Sequence, residues 1–367
     1  MIYPHGVDGP MADDITRDEL VTERFLRNGI GGGFPDPVEC AKSLFGIQFQ
    51  VRSFAEIALY NRVQRLTMKR LEHSYSDGSL ISKWGQRRTY HLYSRNDSDA
   101  VCDIFHDRNH LDLYAKDDPT LTVRVGEAFR RGIEEKGAPD VDRIREMCQH
   151  LLPDDLLRES YHPYAVYSWL CNNGYLYGSM AGGNRFSVDI GGWECDDGRT
   201  KASIQDMMLR YFRYFGPASR RDFCHYSGLG MKETDEVFSN IKDQLDVRTF
   251  NGQDVYSLGP VPDRSVRGIT VLGKYDPLML SYSDKTWICD ERRIPIIWSS
   301  AGRVQAVIVR RNRIIGFWQQ RQKDSVYEVS LFRDIAEKDK GSIAKRLERI
   351  SGFLGKTYKG TEFSVVR

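Results

Sequence analysis

The chain has 367 residues, 40% hydrophobic and 28% charged, with a formal net charge of +2. That balance excludes fibrous, low-complexity and wholly disordered classes, and the length calls for about two to four folded units. The near-neutral total excludes a chain that is basic throughout, yet residues 62–95 carry eight Lys/Arg against two Asp/Glu, residues 303–323 carry six against none, and residues 97–160 carry sixteen acids against nine bases. Two basic patches therefore accompany an acidic stretch that reads as a solvated face.

Seven cysteines are scattered without a C-x-x-C pair, as in a reducing cytoplasm rather than in a disulfide framework or a zinc cage. Residues 1–14 are polar, lack an apolar signal core and read as a loose N-terminus. Apolar runs such as residues 294–298 are far too short to span a bilayer. The expectation is a cytoplasmic protein with no membrane partner.

In chain order, residues 15–27 read as an amphipathic helix, with Thr16 and Glu19 spaced as a capping box. A glycine- and proline-rich break precedes a second helix over 37–45. Ile47-Gln48-Phe49-Gln50-Val51 then alternates apolar and polar residues. An extended backbone would turn Ile47, Phe49 and Val51 inward and place Gln48 and Gln50 together on the outer face. Two amides on one face of a short strand can grip a water or a sugar; a polar edge beside a helix fits the same pattern. Residues 53–63 read as a helix and 65–73 as a basic helix. Residues 80–84 and 89–93 read as strands joined by the turn 85–88. Helices followed by a basic-tipped hairpin make a winged helix, in which one helix enters a DNA groove and the wing touches backbone.

The pattern recurs. Residues 97–110, 123–136, 141–150 and 161–172 read as helices, and 174–188 as a hairpin with a glycine-rich tip. Residues 201–215, 218–225 and 232–241 are helical again, and the hairpin 245–249/255–258 turns at Asn251-Gly252. Beyond 260 the character shifts to strands, at 268–273, 303–310, 313–319 and 325–331, with a basic turn at residues 310–313. A charged amphipathic helix over 335–356 places Ile343, Leu347, Ile350 and Leu354 on one face. The expected fold is α+β: winged helices over 15–96, 97–192 and 193–263, a small β domain over 264–335, and a helix with a tail over 336–367.

Five segments in this order resemble a known family. They are Leu44-Phe45-Gly46-Ile47-Gln48-Phe49-Gln50; Trp84 to Leu92 (WGQRRTYHL); Arg210-Tyr211 through Gly216-Pro217-Ala218-Ser219 to Asp222-Phe223; Tyr275-Asp276-Pro277-Leu278 through Tyr282 and Asp284; and Gly316-Phe317-Trp318. They are similar to the L-x-G-L-Q-x-Q, W-x-x-R-G-T-x-H-L, R-Y-x₄-G-P-x-T-x-x-D-F, F-D-P-x₄-Y-x-D and G-x-W segments of bacterial tandem winged-helix proteins that include the azinomycin-resistance, AlkZ-like DNA glycosylases. The likeness covers roughly residues 15–335. It implies three winged helices and a β domain around a concave DNA-binding surface, with Gln48 and Gln50 as the catalytic pair. The chain departs from the pattern at Arg88, where the family has glycine, at Tyr226, where tryptophan is common, and at Lys285, where arginine is common. A sister branch is acidic at the second glutamine position, so glutamine at both places the chain on the azinomycin-resistance side.

Amides do not titrate near neutral pH, so a glutamine pair suits a substrate that needs no acid–base help. An N7- or N3-alkylated purine is one, because its base is already cationic and departs without protonation. The expected activity is monofunctional hydrolysis of the N-glycosidic bond, leaving an abasic site. No lyase activity is expected, because the pair offers no amine nucleophile. The expected partner is double-stranded DNA with alkylated purines, bulky adducts or interstrand crosslinks, in repair or in self-resistance to a genotoxic natural product. No cofactor is required, and with no sustained heptad seam the expectation is a monomer.

DNA contacts are expected from Arg62, Arg65, Lys69 and Arg70, from Arg87, Arg88, Thr89 and His91 at the wing, and from Arg310, Arg311 and Arg313 at the later turn. Each arginine taken alone also fits an exposed solubilising charge, and His91 also fits a buried histidine bonded to backbone. Cys102, His106 and His110 share a helix spacing but lack a fourth ligand, so packing is read there and no metal. Trp318 reads as core, and Gly31-Gly32-Gly33 lacks the lysine of a P-loop. Two rivals remain, a winged-helix transcriptional regulator without catalysis and a protein that shields lesions without hydrolysing them.

Overall fold

The computed structural model describes residues 13–108, 111, 118, 120–136, 146, 162–179, 185–188, 196–266, 268–300, 302–321 and 325–366. The first helix, α1 (Arg17–Arg27), starts at the capping box: Thr16 N donates to Glu19 Oε2 at 2.9 Å and Glu19 N to Thr16 Oγ1 at 3.3 Å. Just before it, Asp13 and Ile15 bond the backbone of Thr249. The end of the segment expected to be loose is thus held by pairing.

Next come α2 (Pro37–Ser43), β1 (Ile47–Gln48), α3 (Arg52–Tyr60), α4 (Met68–Ser76), β2 (Leu80–Trp84) and β3 (Tyr90–Ser94). The helix expected over 65–73 begins later. Thr67 caps α4 by accepting from Arg70 N, and Arg65, at φ +48, sits in the loop before it. A left-handed residue cannot open a right-handed helix, whereas threonine satisfies one of its orphan N–H groups.

The middle of the chain supplies α5 (Ser98–Phe105), α6 (Leu121–Lys136), α7 (His162–Asn172) and the hairpin β4 (Leu176–Ser179) to β5 (Arg185–Val188). The expected helix 141–150 and the hairpin tip lie outside the described residues, apart from the helical Glu146. Ser82 pairs with Gly178, which merges two hairpins into one sheet of order β1-β3-β2-β4-β5. A third set follows: α8 (Asp197–Tyr214), α9 (Arg220–Ser227), α10 (Asp235–Ile241) and the hairpin β6 (Asp246–Phe250) to β7 (Gln253–Ser257). Its turn is Asn251-Gly252, at φ +51 and +73, the left-handed pair that two-residue hairpins favour.

The last sheet contains β8 (Ile269–Val271), β9 (Ala306–Arg310), β10 (Arg313–Arg321), β11 (Val326–Leu331) and β12 (Thr361–Val365), in the order β12-β11-β10-β9-β8. Two short helices, α11 (Pro277–Leu280) and α12 (Ile294–Ile297), precede β9, and α13 (Glu337–Phe353) precedes β12. The tail beyond residue 336 thus contributes a parallel edge strand to the sheet, and α13 buries Ile343, Leu347 and Ile350 in the core beneath it. Trp318 belongs to that core, its indole N–H donating to Leu272 O at 2.9 Å. One large core joins α1–α5, α8–α10 and residues 272–314, and a second lies between α6, α7 and Trp84. The class is α+β. Among the described residues no helix is long and apolar enough to cross a membrane.

Candidate active site at the glutamine strand

Gly46 places the glutamines. At φ +94 it adopts a conformation that L side chains resist, and a Cβ there would stand 2.5 Å from the Tyr93 ring. The chain can therefore drop from α2 onto β3, with Ile47 opposite Leu92 and Gln48 opposite His91. Phe49 N extends the pairing by donating to Tyr90 O at 2.7 Å. Ile47 and Phe49 are buried as expected, but Val51 is 42% exposed. The alternation stops there because Val51 is the cap residue of α3 and leaves the strand plane.

Gln48 is only 7% exposed, not outward-facing, whereas Gln50 is exposed. The two amides meet: Gln48 Nε2 donates to Gln50 Oε1 at 2.7 Å. Arg87 approaches from the β2–β3 turn, its Nη2 lying 3.5 Å from Gln48 Oε1 and its Nη1 donating to Tyr226 O. Among the described residues, the side-chain partners of the two amides are each other and Arg87. No carboxylate is among them.

His91 faces the same side as Gln48 and is 3% exposed. Its Nδ1–H donates to Thr89 O at 2.9 Å, the tautomer that a carbonyl partner requires. Burial, reinforced by the Arg87 charge, pushes the ring down to about 3, so it is neutral at physiological pH. Gln86, wholly buried, ties the turn down: its Nε2 donates to Phe45 O and to Tyr226 OH, and its Oε1 accepts from Tyr93 OH. Tyr226 OH donates in turn to Leu44 O at 2.7 Å. The loop before the glutamine strand and the β2–β3 turn are thereby clamped to α9.

The expected DNA contacts divide. Arg62 is corrected outright: it is fully buried, bonds both carboxylate oxygens of Asp276 at 2.6 and 2.9 Å, and donates to Asn28 Oδ1. A guanidinium spent on an internal pair cannot reach a phosphate. His91 is likewise withdrawn from the surface. Arg65, Lys69, Arg70 and Arg88 are exposed, Arg70 also bonding the carbonyls of Pro35, Gln64 and Arg65. Thr89 is half-buried and donates to Gln86 O. At the later turn, Arg310 pairs with Asp339 at 2.7 Å, while Arg311 and Arg313 are exposed, Arg313 lying 3.7 Å from Asp290.

The sequence pattern did not single out Gln86, His225 or the placement of Tyr226 and Lys285. Lys285 Nζ lies 3.5 Å from His225 Nε2 and donates to Tyr282 O. Burial lowers the amine to about 8 and the imidazole to about 4. The departures from the family pattern at Tyr226 and Lys285 were the only signal for this corner.

His110, the last of the spaced Cys–His trio, lies outside the described residues. Cys102 is engaged by the buried amine of Lys83, with Nζ at 2.9 Å from Sγ. Among the described residues no group of three or more His, Cys, Asp or Glu is placed to hold a metal ion.

The sequence of residues 41–353 matches the family described as DNA glycosylase AlkZ-like. No curated protein matches the chain. Among solved structures, Streptomyces sahachiroi DNA glycosylase AlkZ is similar in fold, with a TM-score of 0.77 at 17% identity, over 96% of this chain and 100% of that one. With the profile spanning most of its length, the chain belongs to the AlkZ-like DNA glycosylase family.

Proposed function

We propose that this DNA glycosylase is a monofunctional repair enzyme that hydrolyses the N-glycosidic bond of alkylated purines, N7-alkylguanine above all. The observation that carries the proposal is the amide pair: two glutamines on one face, 2.7 Å apart, one buried and one exposed, with no carboxylate among their partners. Such a site cannot shuttle protons, so it fits a leaving base that is already cationic. Gln50 Oε1 accepts one bond from Gln48 and keeps a lone pair for a water or for the developing positive charge on the sugar. Water forms the O–C1′ bond, the C1′–N9 electrons neutralise the cationic purine, and the water's proton passes to solvent. The amine nearest in register, Lys83, pairs opposite His91 and is 1% exposed. Its burial supports a water nucleophile and the absence of lyase chemistry.

The three helix-and-hairpin sets act in this proposal as winged helices that cradle duplex DNA on a concave face, as a monomer. Phosphate contacts fall to Arg65, Lys69, Arg70, Arg88, Arg311 and Arg313, which hold DNA without reading sequence. Bulky adducts and interstrand crosslinks, in self-resistance to a genotoxic natural product, are the further substrates.

The test is a duplex carrying one N7-methylguanine, incubated with wild type or Gln48→Ala/Gln50→Ala and then treated with alkali. Wild type should cut at the lesion, and the double variant should be slower by roughly 10²–10³-fold. Equal rates would remove the glutamines from the chemistry. No cutting with either methyl or bulky adducts would favour a binding protein without catalysis.

A further inference from the structure

Arg87 was expected at the wing as a phosphate contact, but its guanidinium points the other way. We propose that it is a positioning residue that sets the amide orientation of the glutamine pair; the inference rests on the glutamine reading above. Three independent features of the fold converge on it.

The first is hydrogen-bond logic. A guanidinium can only donate, so the Gln48 atom facing Arg87 Nη2 must be the carbonyl oxygen. The amide nitrogen is then left facing Gln50, where it can only donate, so Gln50 must present Oε1, as it does at 2.7 Å. Without Arg87 an amide rotates by a half-turn at little cost, since its two ends have nearly the same shape. One fixed cation therefore decides which atoms both glutamines present.

The second is what holds the cation. Tyr226 is in the last turn of α9, where backbone carbonyls have no partner within the helix and carry partial negative charge. Arg87 Nη1 donates to Tyr226 O. The guanidinium thus bridges the end of α9 and the side chain of Gln48.

The third is the backbone cost accepted to put it there. Arg87 and its neighbour Arg88 both adopt left-handed conformations, φ +55 and +57, which residues with a Cβ resist. Gly228, the cap after α9, is left-handed too, and a Cβ on it would fall 3.0 Å from Arg87 N and 3.2 Å from Arg87 Cα. Helix and turn are pressed together at this one residue. A phosphate-binding wing tip needs none of this.

The experiment separates positioning from DNA contact. Arg87→Ala and Arg87→Lys would be compared with wild type on a duplex with a single N7-methylguanine, in single turnover at saturating enzyme, with Kd measured across salt concentrations. Lysine keeps the charge but lacks the planar fork that serves two acceptors. Both variants should release base about 10–100-fold more slowly, the scale of loss when a catalytic group drifts by about 1 Å. Kd and its salt slope should stay at wild-type values. A saturating rate equal to wild type overturns the inference. So does a salt slope shallower by about 0.9, the value of one phosphate contact, whatever the rate does. A wild type that releases no base from this duplex or from one carrying a bulky N7 adduct overturns the proposed function and this inference together. Gln48→Ala as fast as an active wild type removes the glutamine reading, which is then separable from any Arg87 effect.

Discussion

The basic stretches 62–95 and 303–323 look alike as charge and are built differently. In the first, two arginines turn inward: Arg62 onto Asp276 and Asn28, and Arg87 onto Tyr226 O and Gln48. In the second, the turn between β9 and β10 is pinned by a neutral residue, Asn312, whose Nδ2 donates to Asp18 O and Thr22 Oγ1 of α1. Its arginines are left at the periphery, in surface pairs or in solvent. A cation in a basic stretch can thus be an internal strut instead of an exposed surface charge, and only burial and partners tell the two apart.

The sharpest way to break the comparison is Arg62→Ala. It strands Asp276 as an uncompensated charge in a site with no exposure on either side, and such losses cost about 3–5 kcal/mol. Thermal or denaturant unfolding should show the loss with DNA absent. Arg311→Ala should leave the same unfolding curve unmoved. If both variants unfolded alike, the division into inward and outward stretches would be wrong.

Acid gives a second test of the first stretch, gradual with pH, because its histidine is kept neutral beside Arg87. His91 has a folded value of about 3 against an unfolded value near 6.5. Between these values the unfolded chain binds more protons, so stability is full above pH 6.5 and falls as pH drops toward 3. The slope is at most about 1.4 kcal/mol per pH unit. Denaturant midpoints for wild type and His91→Gln should diverge in that window, the variant losing less. Parallel curves would mean that the ring is not held neutral by burial.

What was legible in the sequence was local. The Thr16–Glu19 box, the Asn251-Gly252 turn and the alternation through Ile47 and Phe49 depend on residues within a few positions of each other, and each appears where spacing places it. What escaped notice depends on residues far apart in the chain. Nothing near Arg62 announces Asp276, and nothing near Arg87 announces the end of α9. The parallel pairing of β12 with β11 joins segments with a whole helix between them. The glutamine pair itself was visible as a pattern on a strand. Its asymmetry, one amide buried and one exposed, came only from the closeness of β3 and the early start of α3.

The smallest predicted effect tests the outward stretch. Arg311 is exposed at φ +48, and Arg313 has only a long contact of 3.7 Å to Asp290. A surface pair of that kind contributes about 0–1 kcal/mol, so neither substitution should move folding much. If both touch phosphate, each alanine should make the log–log salt dependence of DNA binding shallower by about 0.9, uniformly across sequences. Arg313 should lose somewhat less, since Asp290 competes for it in the free protein. The saturating rate of base release should not change, because neither residue bonds the glutamines, and it is here that the two stretches separate most cleanly: Arg87 should change the rate and spare the slope, while Arg311 should change the slope and spare the rate. An Arg311→Ala variant with an unaltered slope would confine DNA to the face around α4 and the β2–β3 turn, leaving the turn between β9 and β10 as a brace for α1.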